Sequence, residues 1–232
     1  MPEFSQIKAL TFDLFGTVLD LGGSLTPFIA QWLRGLDPRV DAGDFWQAWR
    51  DRQRIEQYQD NIVEMGHSGY LPVARSAGVY VARRFGLDPS PGEIDQLMAA
   101  WQELNPFADV LPALRRLSER YRLVALSNGE RDYLEHLVKN RIVWKFDAVI
   151  SVQTVGAFKP HPGVYRKGAA MLGLEVGQCL MVSANSFDVM GARMCGLRGA
   201  FVNRYGLPYE DTPFQPDLIV RNFDELVTRL MT

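Results

Sequence analysis

Cysteine is scarce in this sequence of 232 residues, which contains only two. Cys179 and Cys195 lie in apolar, core-like stretches and lack the spacing of metal ligands. Two such residues do not make the disulfide framework that is typical of small secreted proteins. We therefore predict two buried free thiols in a reducing compartment.

An excess of charge of one sign is also missing, since 25 Lys and Arg against 27 Asp and Glu leave a formal net charge of −2. This balance lacks the electrostatic footprint of a protein that binds nucleic acid or an anionic membrane. No apolar run reaches the length of a membrane span. Residues 1–6 lack the basic-then-apolar pattern of a secretory signal. We expect a cytoplasmic protein with neither nucleic acid nor a membrane as partner.

Short β-favouring runs alternate with helical patterns from residue 106 onward. The apolar runs occupy 123–127, 148–150, 179–182 and 199–202, with 218–220 as an edge strand. Before and between them lie the predicted helices 110–120, 131–140, 163–172 and 187–195. This alternation predicts an α/β fold with a doubly wound parallel sheet, covered by helices on both faces.

The stretch from 21 to 105 has helical patterns and almost no β-favouring run. Asp44 is predicted to cap one helix, and a second is predicted over 71–85, before Gly86. Ser90 and Glu93 form a capping-box pattern that opens a third helix, ending near residue 104. Such helices form either an inserted lid or a bundle that only packs on the sheet. A chain of this length accommodates an insertion, and we expect a core domain of 1–20 and 106–232 with a helical cap domain of 21–105.

The first apolar run, 7–12, is typical of a strand buried on both faces, and it ends at Asp13. In open α/β sheets, ligands bind beyond the carboxyl ends of the strands, so Asp13 is predicted to lie at the floor of that crevice. A carboxylate in this place can attack carbon or phosphorus and form a covalent intermediate. The alternative is a strand that simply ends at a polar residue, with Gly16 in the turn and Thr17 as a cap.

Polar side chains also follow other predicted strands. They are Ser127 and Asn128, Lys159 in a short loop, and Ser183, Asn185 and Asp188. Taken singly, each is explained as well by a turn, a solvated loop or a helix cap. Because parallel strands have their carboxyl ends at the same edge of a sheet, we expect all of them to meet Asp13 and Thr17.

Four motifs of the sequence resemble those of the haloacid dehalogenase superfamily. They are DLFGT at 13–17, LSNG at 126–129, FKPHPGVY at 158–165 and SANSFD at 183–188. They are most similar to the L-2-haloacid dehalogenase branch, and the resemblance covers essentially the whole chain. It implies a Rossmann-like core with an inserted helical cap. The implied activity is hydrolysis of short (S)-2-haloacids to (R)-2-hydroxyacids through a covalent aspartyl ester.

One position of the first motif separates this branch from the phosphatases of the superfamily. Those enzymes hold Mg²⁺ with a second acid two residues after the nucleophile and with an acidic pair further on. Phe15 stands at the first of these positions and cannot coordinate a metal, and the later loop lacks the usual Gly-Asp. The resemblance therefore implies neither metal nor cofactor. The alternatives are a phosphatase of small phosphate esters and a non-catalytic relative that binds a small molecule.

The resemblance also implies residues for the first chemical step. Asp13 would be the nucleophile that displaces halide from C2, with Lys159 holding it ionised and Thr17 donating a hydrogen bond to it. The substrate carboxylate would be bound by Ser127 and by the residues that follow the nucleophile, Leu14 and Phe15, through backbone amides.

For the second step, the resemblance implies that Ser183 and Asn185 orient water and that Asp188 accepts its proton. Tyr165 matches a family tyrosine near the lysine and would contribute to the substrate site. A helix residue that packs on the sheet is the alternative interpretation of this tyrosine.

The departing halide needs a polar cradle, and the resemblance points to an arginine early in the cap. The stretch WRDRQRIEQY at 49–58 fits, and Arg50, directly after a tryptophan, is preferred over Arg52 and Arg54. Asn128 and Phe187 would complete the cradle, since the edge of an aromatic ring is mildly positive.

Two features depart from the family pattern. The family often has tyrosine where Phe15 stands, so one wall of the substrate site loses a hydroxyl, and GHSGY at 66–70 does not match the family's cap. The implied partners are a small 2-haloacid as substrate and halide as product. Related enzymes are commonly homodimers, although no apolar stripe in this sequence marks an interface.

Overall fold

The computed structural model describes residues 4–232, so the first three residues of the predicted core domain, and of the segment inspected for a signal, lie outside the described residues. Its strands are β1 (Ala9–Phe12), β2 (Leu19–Asp20), β3 (Asn105–Pro106), β4 (Arg122–Ser127), β5 (Ala148–Ser151), β6 (Cys179–Ser183), β7 (Arg198–Val202) and β8 (Leu218–Val220). Six of them form a parallel sheet in the order β5-β4-β1-β6-β7-β8. This sheet confirms the predicted α/β class.

Nine helices are found in residues 4–232. They are α1 (Leu21–Leu36), α2 (Ala42–Ile62), α3 (Tyr70–Arg84), α4 (Pro91–Ala99), α5 (Val110–Leu117), α6 (Arg131–Leu137), α7 (Pro162–Met171), α8 (Ser186–Met194) and α9 (Phe223–Met231). Helix α5 packs against α9, and α7 packs against α8. All side chains of β1 and β6 are buried, so both faces of the sheet are covered.

The strand order reverses at β1, which lies between β4 and β6. The chain runs from β1 to β4 and β5 on one side, and then crosses to β6, β7 and β8 on the other. In a doubly wound sheet this reversal opens a crevice at the carboxyl ends of the central strands. Asp13 follows β1 at that point, where its backbone amide donates to the carbonyl of Val182 at 3.0 Å.

A sharp turn carries the chain away from the crevice after Asp13. Gly16 has φ of +87°, a left-handed conformation that favours glycine. A Cβ at this position would lie 3.2 Å from the hydroxyl of Tyr205, and that hydroxyl donates to the carbonyl of Gly16 at 2.9 Å. The turn therefore requires glycine both for its conformation and for the close approach of Tyr205.

Helices α1–α4 form one all-helical insertion between β2 and β3. These two short strands pair antiparallel, Leu19 with Pro106 and Asp20 with Asn105. The chain therefore leaves the sheet and returns to it at adjacent points. A pair of two-residue strands is too short to give a periodic signal, which is why the sequence did not predict it.

Close packing of α2 on α3 sets the rotation of the insertion's helices. The indole nitrogen of Trp49 donates to the carbonyl of Ala74 at 2.6 Å. A Cβ on Gly78 would lie 3.0 Å from the Trp49 ring, so the ring seats where α3 has no side chain. Trp49 and Trp101 are both fully buried and meet edge to face at 5.6 Å between ring centroids. These aromatic contacts bury the apolar side of α2.

Several predicted boundaries need correction. The cap of α2 is Asp41, whose carboxylate accepts from the amides of Gly43 and Asp44, and Asp44 lies in the first turn. Asp41 and Asp44 both stand near the start of this helix, and the extended backbone at Asp41 makes the earlier acid the cap. The capping box of Ser90 and Glu93 is confirmed, but α4 ends at Ala99 and a 3₁₀ turn continues to Glu103.

Cys179 and Cys195 are buried and unpaired, as predicted. Burial raises the pKa of Cys179 to about 11, so the thiol stays protonated and unreactive at neutral pH. Of the helices in residues 4–232, none combines the length and the apolar character of a membrane span.

Candidate active site

The carboxylate of Asp13 is held by three side chains at the carboxyl end of the sheet. Thr17 donates to Oδ2 at 2.8 Å, Asn185 donates to the same oxygen at 2.9 Å, and Nζ of Lys159 lies 3.3 Å from Oδ1. Asp13 is 5% exposed. Because each donor comes from a different loop at the sheet edge, the fold fixes both the position and the orientation of this carboxylate.

Lys159 lies between two carboxylates. Its Nζ is 3.3 Å from Asp13 and 2.9 Å from Oδ2 of Asp188, and the side chain is 1% exposed. The loop that carries Lys159 is fixed by its backbone amide, which donates to Oδ1 of Asn128 at 2.8 Å. A buried ammonium between two carboxylates compensates part of their charge in a region that excludes water.

Asp188 occupies the first turn of α8 and is 1% exposed. Burial raises the pKa of its carboxyl, and the Asp13 charge adds to this, whereas Lys159 and the hydrogen bond from Tyr165 act in the opposite direction. The hydroxyl of Tyr165 donates to Oδ1 of Asp188 at 2.8 Å, and burial raises the pKa of Tyr165 well above its usual value. Asp188 is therefore a carboxylate of increased basicity, positioned beside Asp13 by two donors.

Asn128 and Ser127 end β4 on the other side of β1. The amide nitrogen of Asn128 donates to Oε1 of Gln57 at 3.3 Å, which joins the core to α2. The Ser127 hydroxyl is fully buried and makes no hydrogen bond to residues 4–232. It is a polar group without a protein partner in the floor of the site, which suits a ligand-binding role.

Five of the predicted residues, Leu14, Thr17, Ser127, Tyr165 and Ser183, do not line the cavity beside Asp13, whose lining is given below. Leu14 is part of the hydrophobic core, so only its backbone is available to a substrate. Ser127 is buried and its hydroxyl has no partner in residues 4–232. Ser183 accepts from the amide of Asn185 at 3.1 Å. Tyr165 donates to Asp188, and its contact with substrate stays a prediction.

Phe15 lies in an aromatic stack. Its ring is parallel to that of Tyr70, with the centroids 3.9 Å apart and the planes 10° apart, and Tyr133 stacks at 5.9 Å. The Tyr70 hydroxyl is buried without a partner in the described chain, and burial raises its pKa to about 12. Tyr70 comes from the 66–70 stretch that departs from the family pattern, and it places a hydroxyl beside the cavity where Phe15 has none.

The three candidate arginines of α2 point in different directions. Arg50 lines the cavity and is 9% exposed, with one guanidinium nitrogen donating to Oε1 of Gln53 at 3.0 Å. Arg52 faces away, pairs with Glu56 at 2.8 Å and lies over the ring of Tyr80. Arg54 lies at the outer edge and donates to Oδ1 of Asn185 at 3.1 Å. The structure thus places Arg50, the arginine preferred from the sequence, next to Asp13.

Three functional residues were missed by the sequence analysis. Gln53 holds Arg50, Gln57 contacts Asn128, and Tyr70 lines the cavity. Helical spacing was an available signal for two of them, because Gln53 and Gln57 stand three and seven positions after Arg50 and so share its face of α2. No periodicity marks Tyr70, which reaches the site from another helix.

The helical insertion also forms hydrogen bonds to the loop that carries Lys159. The side chain of Asn61 donates to the carbonyl of Phe158 and accepts from its amide, both at 2.7 Å. Nε2 of His67 is 2.9 Å from the carbonyl of Asn128, and the ring packs on Phe158. These contacts join the end of α2 to two loops of the sheet.

Side chains from both parts of the chain enclose a small cavity, which we call the inner cavity. Its lining is Asp13, Phe15, Arg50, Gln57, Tyr70, Asn128, Lys159, Asn185, Phe187 and Asp188. The volume open to the centre of a water molecule is about 10 Å³, room for about one water. The structure therefore represents a closed state.

The inner cavity contains two acidic side chains, Asp13 and Asp188. Within residues 4–232, no group of three His, Cys, Asp or Glu side chains is arranged to hold an ion. The two acids of the cavity, Asp13 and Asp188, already share the ammonium of Lys159. The arrangement instead suits nucleophilic attack by one carboxylate and proton acceptance by the other.

Comparison with known proteins finds relatives that are named dehalogenases. Haloacetate dehalogenase H-2 of Moraxella sp. (strain B) is 30% identical over 225 residues, 96% of this chain and 97% of that protein. An (S)-2-haloacid dehalogenase of Xanthobacter autotrophicus is 34% identical over 201 residues, 86% of this chain and 76% of that protein. These relatives span nearly the whole of the present chain.

Solved structures show the same fold. The L-2-haloacid dehalogenase of Xanthobacter autotrophicus with chloropropionic acid covalently bound superposes with a TM-score of 0.83 at 27% identity, covering 97% of this chain and 98% of that one. The sequence model of the haloacid dehalogenase-like hydrolases matches residues 7–196. The chain therefore belongs to the haloacid dehalogenase-like hydrolases.

Proposed function

We propose that this protein hydrolyses short (S)-2-haloacids to (R)-2-hydroxyacids. The observation that carries the proposal is the buried carboxylate of Asp13, held by Thr17, Asn185 and Lys159 and facing a second buried carboxylate, Asp188. The names of its relatives, haloacetate and 2-haloacid dehalogenases, support it. So does the covalently bound chloropropionic acid in the Xanthobacter structure.

The first step is displacement at C2 by Asp13. One carboxylate oxygen forms a bond to C2, the carbon–halogen bond breaks with inversion, and the halide leaves with the bonding electron pair. Lys159 keeps the carboxylate ionised and aimed. Arg50, Asn128 and the edge of the Phe187 ring cradle the departing halide, since all three line the inner cavity.

The second step is hydrolysis of the aspartyl ester. Water attacks the carboxyl carbon of Asp13 while Asp188 accepts its proton, and the ester carbon–oxygen bond of that carbon breaks to release the 2-hydroxyacid. Asn185 orients the water, and Ser183 holds the backbone of Asn185. The product hydroxyl thus carries an oxygen from Asp13, and solvent oxygen remains in the enzyme.

The substrate carboxylate is bound by the floor of the site in this scheme. The backbone amides of Leu14 and Phe15 directly follow the nucleophile in the chain, and the free hydroxyl of Ser127 ends β4, the strand that pairs with β1. The helical segment 21–105 acts as a cap domain that closes the cavity over a core domain of 1–20 and 106–232. It contributes Arg50, Gln57 and Tyr70 to the wall.

Halide release from 2-chloro-, 2-bromo- and 2-fluoroacids tests the activity directly. We expect release from the (S) enantiomer of 2-chloropropionate and an (R)-hydroxyacid product by chiral chromatography. Absence of halide from every acid of the panel would contradict the proposal.

A single turnover in ¹⁸O-water, with enzyme in excess, tests the covalent step. Attack by Asp13 gives mostly unlabelled hydroxyacid and places the label in the peptide that contains Asp13. Asp188→Asn should slow ester hydrolysis more than halide release, so that the ester accumulates as a mass increase on that peptide. Fully labelled product with an unlabelled peptide would mean that water attacks C2 directly.

Excess EDTA should leave halide release unchanged, and added Mg²⁺ should not increase it. The physical reason is that the Phe15 side chain offers no ligand and that Lys159 occupies the space between the two acids of the cavity and compensates part of their charge. A strict requirement for Mg²⁺ would contradict the assignment and favour a phosphatase.

The oligomeric state and the location stay predictions of the sequence. We propose a homodimer in the cytoplasm, as in related enzymes. Light scattering of the purified protein and cell fractionation test the two statements.

A further inference from the structure

A second, larger cavity adjoins the inner one at the boundary between the sheet and the insertion. We call it the outer chamber; its volume is about 260 Å³. It is lined by Gly16, Leu21, Gly22, Trp46, Gln47, Arg50, Arg54, Asn185, Tyr205 and Leu207. Arg50 and Asn185 line both spaces, so these two side chains form the partition between them.

A ligand can reach the small inner cavity only through an adjoining space. With room for about one water molecule it is smaller than any haloacid, so an acid has to arrive from an adjoining space. The outer chamber and the inner cavity share Arg50 and Asn185 as lining residues. The side chain of Asn185 also donates to Asp13 at 2.9 Å. Arg50 and Asn185 both donate to the carbonyl of Phe15, at 3.5 and 3.3 Å, so the partition consists of these two residues and the backbone of the turn after Asp13.

Arg54 gives this chamber a positive charge that is only partly compensated. Its NH2 group donates to Asn185, its NH1 group is 3.8 Å from Asp51, and its Nε is buried without a partner in residues 4–232. Asp51 is 55% exposed, so its charge is largely screened by solvent. Burial and then the neighbouring Arg50 lower the pKa of Arg54 to about 10, which still leaves it charged at neutral pH.

The other polar groups of the chamber do not neutralise the two arginines. The hydroxyl of Tyr205 donates to the carbonyl of Gly16, and the amide of Gln47 donates to Asp51. Arg50 hydrogen-bonds only neutral oxygens, those of Gln53 and Phe15, within residues 4–232. Two guanidinium groups face one chamber, and the carboxylate nearest to Arg54 is the exposed Asp51 at 3.8 Å, so the pair can still bind an anion.

We propose that the outer chamber is a second anion-binding site, centred on Arg54, that takes a small monovalent anion on its way to or from Arg50. The ligand is the carboxylate of the arriving acid or the departing halide ion. Identification of that carboxylate as a haloacid rests on the proposed function, but the anion site itself does not. Arg54 binds and guides the anion, and it takes no part in bond breaking.

Iodide quenching of tryptophan fluorescence tests the site without any turnover, because Trp46 lines the chamber. We expect saturable quenching in the wild type and an affinity about tenfold lower in Arg54→Leu, the effect of losing one charge-assisted contact. Arg54→Lys should lose less, because it keeps the charge but not the planar fork. Trp46→Phe should remove most of the saturable signal.

Arg52→Leu is the matched control. It changes the same residue type on the same helix, but Arg52 pairs with Glu56 and lies outside the chamber. Its iodide titration should equal that of the wild type. Circular dichroism of each variant verifies the fold. Equal saturable quenching in Arg54→Leu and the wild type, or its persistence in Trp46→Phe, would overturn the proposal.

Competition distinguishes the two sources of the anion. If the site takes carboxylates, acetate displaces iodide from the wild type at millimolar concentrations. If acetate has no effect while iodide still saturates, the site is a halide exit.

In turnover with 2-chloropropionate, a carboxylate site predicts that Arg54→Leu raises KM about tenfold while kcat changes by less than about twofold. If the wild type releases no halide from any acid but Arg54→Leu still loses iodide binding, the result supports the anion site and contradicts only the proposed function.

Discussion

The core side and the cap side of the inner cavity differ in how their polar groups are satisfied. On the core side, Asp13, Thr17, Lys159, Asn185 and Asp188 are joined in one continuous network of hydrogen bonds and ion pairs, and the hydroxyl of Ser127 is the one core group named above without a partner in residues 4–232. On the cap side, three buried groups have no partner within residues 4–232. They are the amide nitrogens of Gln53 and Gln57 and the hydroxyl of Tyr70.

The polar groups of the core side are thus mostly fixed before a ligand binds, whereas those of the cap side are free to bind one. A buried polar group without a partner costs about 1–3 kcal/mol, and a bound anion that accepts its hydrogen bond removes this cost. Donors already fixed around a carboxylate need no reorganisation during reaction. The comparison supports the proposal that the core residues carry out the chemistry and that the helical segment binds the acid and the halide.

Removal of Lys159 should give the largest effect, because it breaks the core network at its only cation. In Lys159→Met we expect kcat for halide release to fall by at least about 10²–10³-fold. The free energy of unfolding should fall by about 3–5 kcal/mol, because two buried carboxylates lose their counter-charge. Denaturant unfolding and steady-state kinetics measure the two quantities. The exposed Lys145→Met is the control, and a loss of similar size there would contradict the assignment.

Arg50→Ala should come next. If Arg50 stabilises the leaving halide inside the closed cavity, about 2–4 kcal/mol of transition-state stabilisation is lost, by analogy with loss of one preorganised donor. Arg50→Lys should recover little, because a point charge does not replace the planar fork. Arg52→Ala should stay near wild type in kcat. Near-normal kcat in Arg50→Ala would show that the halide is held elsewhere.

Removing one hydroxyl from each side of the cavity compares how much the core side and the cap side contribute to the free energy of unfolding. Thr17 donates to Asp13 and accepts from the amide of Ala184, so Thr17→Val should lower the free energy of unfolding by about 1–3 kcal/mol. Tyr70→Phe removes an unpartnered hydroxyl and should leave the ligand-free protein within about 1 kcal/mol of wild type, while KM rises. Urea denaturation of both variants tests this. Equal destabilisation by the two changes would mean that the cap side is also internally satisfied.

The smallest effect expected is a shift in the pH profile of Tyr165→Phe. Burial raises the pKa of Asp188, so the base is lost as pH falls through that raised value, and ester hydrolysis declines on the acid side. The hydrogen bond from Tyr165 lowers the pKa of Asp188. Without it the pKa rises further, and the acid limb of kcat should move to higher pH. An unmoved limb, with kcat reduced evenly, would assign Tyr165 a packing role alone.

Much of the core side could be predicted because its residues follow strands. β4, β5, β6 and β7 were each found within one residue of prediction, and a parallel sheet brings their carboxyl ends together. The cap side was predicted less completely. Asp41, not Asp44, caps α2, and Tyr70 reaches the cavity from the 66–70 stretch that matched no pattern.

The sequence by itself determined that Asp13, Lys159 and Asp188 meet, because short polar motifs at the ends of apolar runs share one edge of a parallel sheet. Their roles as nucleophile, lysine partner and base are what the family resemblance implies. Only the tertiary structure decided which of Arg50, Arg52 and Arg54 faces the site. The three stand two residues apart on one helix, and local pattern leaves the rotation of that helix open. Packing of Trp49 against Ala74 and Gly78 on α3 sets that rotation, through contacts 25 or more residues apart in the chain. The same long-range packing brings Tyr70 onto Phe15 and closes the inner cavity.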